Sequence, residues 1–221
     1  MARHVVMMAR APQAGRVKRR LAREIGATAA TQFYRRLLAQ QIRRLADDAR
    51  WTLWLFVTPD DAVSHSAWRA ASRLRVKGQG RGDLGERMTR PFRRLPAGPI
   101  VLVGSDIPLM RPHHIWRAFR LLGQHDLVFG PASDGGFWLV GARRTRPLPT
   151  SLFHGARWST AHALADTLAT IPAHVSVALS DRLDDVDDAA DFRRYGVAAS
   201  FRSAISARTS ANTDSQSPGR G

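Results

Sequence analysis

Pro99–Met110 reads PIVLVGSDIPLM. Ile100–Val103 is a short apolar run of the kind that fills a buried strand. Gly104, Ser105 and Asp106 follow at once, and Pro108 has no N–H to give a neighbour, so the strand cannot continue inside a sheet. An aspartate at that point is costly to desolvate unless it is paired, hydrogen-bonded or bound to a metal. Two readings of Asp106 stand side by side. It holds a hard cation, Mg²⁺ or Mn²⁺, which prefers carboxylate oxygens, or it is a turn or N-cap residue ahead of the helix that Pro112 announces.

Further strands read outward from this one at His4–Ala9, Trp51–Thr58, Arg73–Gly78, Asp126–Gly130, Gly136–Gly141 and Val175–Leu179. Helical spacing appears over Thr28–Ala46, Ser66–Ser72, Ile115–Leu122 and Thr160–Thr170, and after Gly82, with a break or kink expected at Pro91. Strands alternating with helices predict an α/β fold with a mostly parallel central sheet and helices on both faces. Such sheets place their ligands at the carboxyl ends of the strands. Asp106 falls at one such end, and the loop Ala9–Leu21 at another.

The chain has 221 residues, a net charge of +16, no cysteine and 44% apolar residues. That length buries a core of its own. The lack of cysteine excludes disulfides and thiolate catalysis. No apolar run reaches the ~18–20 residues of a membrane helix, and Met1–Arg10 lacks the pattern of a signal peptide, so a cytoplasmic protein with no membrane partner is expected. The positive charge is almost all arginine, Lys18 and Lys77 being the only lysines. It is spread through every segment without a nucleic-acid-binding motif, which favours exposed faces and an anionic small substrate over a nucleic-acid partner. From residue 200 onward, Ser, Thr, Ala and Gly dominate, and a disordered tail is expected over 200–221 after a domain at 1–199.

Four further stretches carry candidate chemistry. Arg10, Gly15, Arg16, Lys18, Arg19 and Arg20 form a basic loop that reads as a phosphate cradle or as a solvated loop. "RLDDVDDAADF" (182–192) concentrates aspartates in a basic protein. Asp185 and Asp187 alternate, so in an extended segment they share a side and supply further metal ligands; otherwise the cluster starts a last helix. Asp134-Gly135-Gly136 is a hairpin turn that also permits close approach of a ligand, with Phe137 and Trp138 beside it. Gln79 and Asp83 either read a base edge or ribose, or belong to a plain loop with Asp83 capping the next helix.

Together "MARAPQAGRVKRRL", "GQGRGDLGERM", "VLVGSDIP", "GPASDGGFWLVG", "LFHGARWS" and "DVDDAADF" resemble, in order, the DUF2064 family of glycosyltransferase-like proteins, over about residues 4–195. The resemblance implies a single GT-A-type, Rossmann-like domain and a nucleotide-dependent, metal-dependent transferase related to nucleotidylyltransferases such as the phospholactate guanylyltransferases. It implies that Arg10, Gly15, Arg16, Lys18 and Arg20 hold the donor's phosphates, with Lys18 and Arg20 acting in catalysis beside Asp106. It also implies that Asp106 binds the metal with Asp187 or Asp185, that Gln79 and Asp83 lie near the nucleoside, and that Asp134, Gly135, Gly136, Phe137 and Trp158 line the acceptor side. Two residues depart from the family's pattern: Arg19 stands where a threonine is usual, and Phe137 where a tyrosine is usual.

Three functions follow as expectations. The first is sugar transfer from a nucleotide sugar to a small acceptor. The second is nucleotidylyl transfer from a nucleoside triphosphate to a small phosphorylated substrate, releasing pyrophosphate. The third is charge-driven nucleic-acid binding, which would be steeply salt-dependent.

Overall fold

A computed structural model of the chain describes residues 1–71 and 74–195. The expected tail at 200–221, the domain's last residues 196–199, Ser72, and Arg73 at the start of an expected strand lie outside the described residues. Seven strands form one sheet: β1 His4–Arg10, β2 Thr52–Thr58, β3 Arg75–Gly78, β4 Ile100–Gly104, β5 Leu127–Pro131, β6 Phe137–Ala142 and β7 Val177–Leu179. Their order is β3-β2-β1-β4-β6-β5-β7, and β6 alone runs against the others. The reversed strand is the one that the Asp134-Gly135-Gly136 turn joins to β5 as a hairpin, as the turn chemistry predicts.

The helices are α1 Arg19–Ile25, α2 Ala27–Ala46, α3 Leu84–Arg94, α4 Pro112–Leu121 and α5 Ala163–Ala169, with a final helical turn over 189–195. α2 buries Tyr34, Leu37, Leu38, Ile42 and Leu45, and the core it joins takes Val5, Met7, Leu55, Val101 and Val103 from one face of the sheet. The other face presents Val6, Phe56, Leu102, Phe129 and Val140, covered by Met88 and Phe92 of α3 and by Phe153. Alternate residues of β1 and β4 therefore enter opposite cores, which is why these central strands read as unbroken apolar runs. Each fully buried side chain contributes about 2 kcal/mol of transfer free energy.

Three details differ from the sequence reading. Arg19–Ile25 is helical rather than part of a loop; it is short, and its one fully buried residue is Leu21. The segment expected as a helix over 66–72 is a 3₁₀ turn at Ser66–Ala70. α3 runs through Pro91 without a break. No helix among the described residues is long and apolar enough to cross a membrane.

The chain order reverses between β1 and β4: the connections from β1 build outward to β3 on one side, and those from β4 outward to β7 on the other. A crevice opens at the carboxyl ends of strands at such a switch point. The basic loop after β1 and Ser105-Asp106 after β4 both open onto it.

Candidate active site

The Tyr34 hydroxyl joins the two strand ends. It donates to Arg10 O at 3.0 Å and accepts from Arg10 N at 3.1 Å. Its one proton being spent, the 3.0 Å contact with Ser105 Oγ is a bond that the serine donates. Ser105 is itself buried. Asp106 follows it, and the next helix is capped from Arg111, so Asp106 is not the N-cap that one sequence reading allowed.

Asp185 and Asp187 reach Asp106 because the segment around them is tied down at several points. Leu183 N donates to Pro131 O at 3.1 Å, Asp184 Oδ1 accepts from Ser133 N at 2.7 Å, and Leu21 N donates to Asp187 O at 3.1 Å. Val186, between the two aspartates, is buried against Leu21, Ala30, Ala189 and Tyr195. With Val186 turned inward, its two neighbours turn the other way. Asp106, Asp185 and Asp187 each offer an oxygen, and these atoms all lie within 4.8 Å of one another. Asp188 does the helix-starting work instead, its Oδ1 accepting from Ala190 N and Asp191 N. The two readings of the acidic cluster are thus divided among different members.

Lys18 occupies the centre of this triad. Its Nζ pairs with Asp106 Oδ2, lies 3.2 Å from Asp187 Oδ1 and lies 3.9 Å from Asp185 Oδ2. The residue adopts a left-handed backbone, φ 47° and ψ 50°, which is uncommon for a side chain of this size. Its side chain is only 6% exposed, against 68% for Arg20. Burial opposes the ammonium's charge, but the Asp106 and Asp187 carboxylates outweigh it and push the Lys18 pKa up. Burial also pushes the Asp185 carboxyl up to about 7; Asp106, Asp187 and Asp134 add to this, and Lys18 opposes it. Three carboxylate oxygen donors gathered around a cationic atom form a donor set that suits a hard divalent cation.

The remaining candidates fall on two sides of Asp106. A groove of about 610 Å³ is lined by Arg10, Arg16, Arg19, Arg20 and Arg87 together with Lys18. Arg20 reaches Asp187 at 3.6 Å and Asp188 at 3.9 Å, and is otherwise exposed. Gly15 turns the loop at φ 73°. Gln79 lines the groove, but its amide is fully engaged: Nε2 donates to Ala9 O and Phe56 O, and Oε1 accepts from Arg87. Asp83 caps α3, its Oδ1 accepting from Glu86 N while Glu86 returns a bond to Asp83 N. The cap is the one that the plain loop reading gave Asp83, while Gln79 stands in the groove with its amide held by the fold.

On the other side lies a cavity of about 180 Å³ lined by Leu84, Met88, Phe137, Trp158, Asp134 and Asp185. Gly136 N donates to Asp134 Oδ1 at 2.8 Å, closing the turn. Gly135 has φ +83°, and a Cβ there would lie 2.1 Å from Ala161 O. That close approach brings the loop carrying Trp158 over the cavity, where Trp158 meets Phe137 and Phe153.

Sequence reasoning missed Tyr34, Ser105 and Arg87. Arg87 was discoverable: it stands one helical turn beyond Asp83, on the side of α3 that its cap faces. Tyr34 gave no signal, being one apolar-face residue of α2 among several.

The sheet order, the single reversed strand and the site at the β1/β4 switch define a GT-A-type, Rossmann-like domain. The chain belongs to the DUF2064 family, described as uncharacterized protein conserved in bacteria, whose model matches residues 41–160. A protein of Desulfovibrio desulfuricans G20 provisionally named a nucleotide-diphospho-sugar transferase superposes with a TM-score of 0.81 at 28% identity, over 93% of this chain and 96% of its own. A CMP:2-keto-3-deoxy-manno-octonic acid synthetase solved with CTP shares the fold at 12% identity and TM-score 0.59, over 90% of this chain and 99% of its own. Rv0371c of Mycobacterium tuberculosis H37Rv, solved in complex with manganese, shares it at 19% identity and TM-score 0.50, over 88% and 97%. None of the curated proteins matches the sequence.

Proposed function

We propose that the chain is a metal-dependent transferase that moves a sugar from a nucleotide-sugar donor to a small acceptor. The observation that carries this reading is the triad of Asp106, Asp185 and Asp187 at the switch point, with a cationic groove on one side and a cavity on the other. The likeness to the Desulfovibrio protein supports it. Asp106, Asp185 and Asp187 would hold the cation, Mg²⁺ or Mn²⁺. When bound, the metal supplies charge neutralisation for a leaving diphosphate.

Arg10, Arg16 and Arg20, projecting into the groove, bind the donor's phosphates in this reading, and Gly15 lets the loop turn around them. Fixed cationic groups aimed at a leaving group lower its barrier without reorganising. In the metal-free chain Lys18 holds the carboxylates in register. Asp134, Gly135, Gly136, Phe137 and Trp158 form the acceptor side. In the transfer, an acceptor hydroxyl oxygen bonds to the anomeric carbon. The bond from that carbon to the phosphate oxygen breaks, and the nucleoside diphosphate leaves with the electron pair. A cytoplasmic setting with small soluble substrates belongs to the same reading.

Nucleotidylyl transfer is the second reading. It is favoured by the turn after β4, where Asp106-Ile107-Pro108 has Pro108 in place of a second carboxylate two residues on and so resembles the nucleotidylyltransferases. Product analysis separates the two. With Mn²⁺ present, nucleoside diphosphate released from a nucleotide sugar supports sugar transfer. Pyrophosphate released from a nucleoside triphosphate in the presence of a phosphorylated substrate would replace it with nucleotidylyl transfer.

A further inference from the structure

The two spaces that meet at Asp106 carry opposite charge. Gly104, Asp106, Leu84 and Ser159 line both of them. Beyond that shared wall the groove presents arginines. The 180 Å³ cavity presents carboxylates, Asp106, Asp134 and Asp185, and has no lysine, arginine or histidine among its lining residues. In a protein of net charge +16, that wall is set apart by its sign.

The rest of the wall is aromatic and aliphatic. Phe137 and Trp158 meet edge to face with centroids 6.2 Å apart, and Phe137 stacks on Phe153 at 6.3 Å. Trp158 is also fixed from below, because Gly85 of α3 packs closely beneath its ring and Phe153. A rigid aromatic wall opposite carboxylate acceptors suits a ring with an apolar C–H face and a rim of hydroxyl donors. Asp134 spends Oδ1 on Gly136 N, which leaves Oδ2 for such a hydroxyl.

A phosphate ester meets the opposite conditions. It would bring negative charge beside Asp134, the lining carboxylate that lies outside the Asp106–Asp185–Asp187 triad, in a partly buried place where like charges repel more strongly than in water. Lys18 pairs with Asp106, Asp187 and Asp185 and not with Asp134. We infer that the cavity takes an uncharged, hydroxyl-rich acceptor, a free sugar or cyclic polyol, and discriminates against the phosphorylated form of the same molecule. This rests on the transferase reading above and deepens it by naming the acceptor's class.

The test is calorimetric titration of the full chain with Mn²⁺ and whichever of UDP, GDP, CDP or ADP it binds. Free hexoses, pentoses and inositols are titrated in parallel with their monophosphate esters. The inference expects at least one neutral compound to bind, and its own phosphate ester to bind at least tenfold more weakly. Asp134→Asn keeps the Oδ1 that closes the turn and removes the charge, so it should narrow that ratio severalfold. A phosphate ester that binds more tightly than its neutral parent overturns the inference, as does binding of esters alone or of no neutral member. In those cases retained nucleotide binding leaves the nucleotide-transferase reading standing. A chain that binds no nucleotide overturns that reading and this inference together.

Discussion

Lys18 Nζ lies 3.2 Å from Asp187 Oδ1, joining the loop after β1 to a segment 169 residues further along the chain. With Asp106 and Asp185 on its other sides, this ammonium stands where a divalent cation would be held. Lys18→Met should therefore leave three carboxylates facing one another. We expect it to cost about 2–4 kcal/mol in the absence of metal, below the top of the range for a fully buried pair because the aspartates are partly exposed. Mn²⁺ should restore much of that loss, read as a larger metal-induced rise in Tm than in the unmodified chain. Equal metal response in the two proteins would argue against a shared position.

The pH dependence follows from Asp185. Its carboxyl is pushed up to about 7 from an ordinary 3.8, by burial first and by the Asp106 carboxylate next. The folded chain thus holds this proton more tightly than the unfolded chain. The resulting stability is full below about pH 4 and is lost as pH rises through 7. A cation needs the deprotonated form, so Mn²⁺ affinity should climb between pH 6 and pH 8. Tm against pH, with and without Mn²⁺, reads both slopes, and Asp185→Asn should flatten both. A metal-free Tm that rises across that window in the unmodified chain but not in the variant would contradict the assignment.

Gly135 is a structural requirement of the turn beside the proposed acceptor cavity. At φ +83°, with Ala161 O 2.1 Å from where a Cβ would stand, Gly135→Ala forces the Trp158 loop outward. We expect a loss of about 2–4 kcal/mol in chemical denaturation, from backbone strain and the steric clash together. Gly15→Ala meets no neighbouring atom and should lose only about 1 kcal/mol, from its φ of 73° alone. Equal losses would show that the loop does not press on the turn.

Gln79 offers a further contrast. With its amide committed to Ala9 O, Phe56 O and Arg87, it cross-links the ends of β1 and β2 to α3. Gln79→Leu should cost about 1–3 kcal/mol for the carbonyls it orphans. It should leave the preference among nucleotide bases unchanged. A changed preference in a binding panel would support the base-reading role that the sequence also allowed for Gln79.

Much of this architecture was legible because its signals are local. Apolar runs ending in Gly, Pro or Asp gave β1, β2 and β4; the Asp134-Gly135 turn gave the hairpin that reverses β6; and Asp185/Asp187 alternation placed two carboxylates on one side. What was not legible depends on distant partners. α1 owes its place to Leu21 meeting Val186, Ala189 and Tyr195, more than 160 residues away. The sequence showed Lys18 as one cation of a basic loop. Its left-handed backbone and its burial among carboxylates depend on where the 183–188 segment comes to rest. Gln79 looked like a free polar group because the two carbonyls it satisfies lie on other strands.

In the proposed function Asp106, Asp185 and Asp187 hold a metal that a nucleotide donor needs. The most direct measurement is a thermal-shift titration of nucleotide sugars with and without Mn²⁺, on the unmodified chain and on Asp106→Asn. A ligand at a hundred times its Kd stabilises the folded form by about 2.7 kcal/mol. The account predicts a rise of that order for one nucleotide sugar with Mn²⁺ present, little without it, and none with Asp106→Asn, whose metal-free Tm shows that it still folds. The same rise without metal, or its survival in the folded variant, would contradict the account.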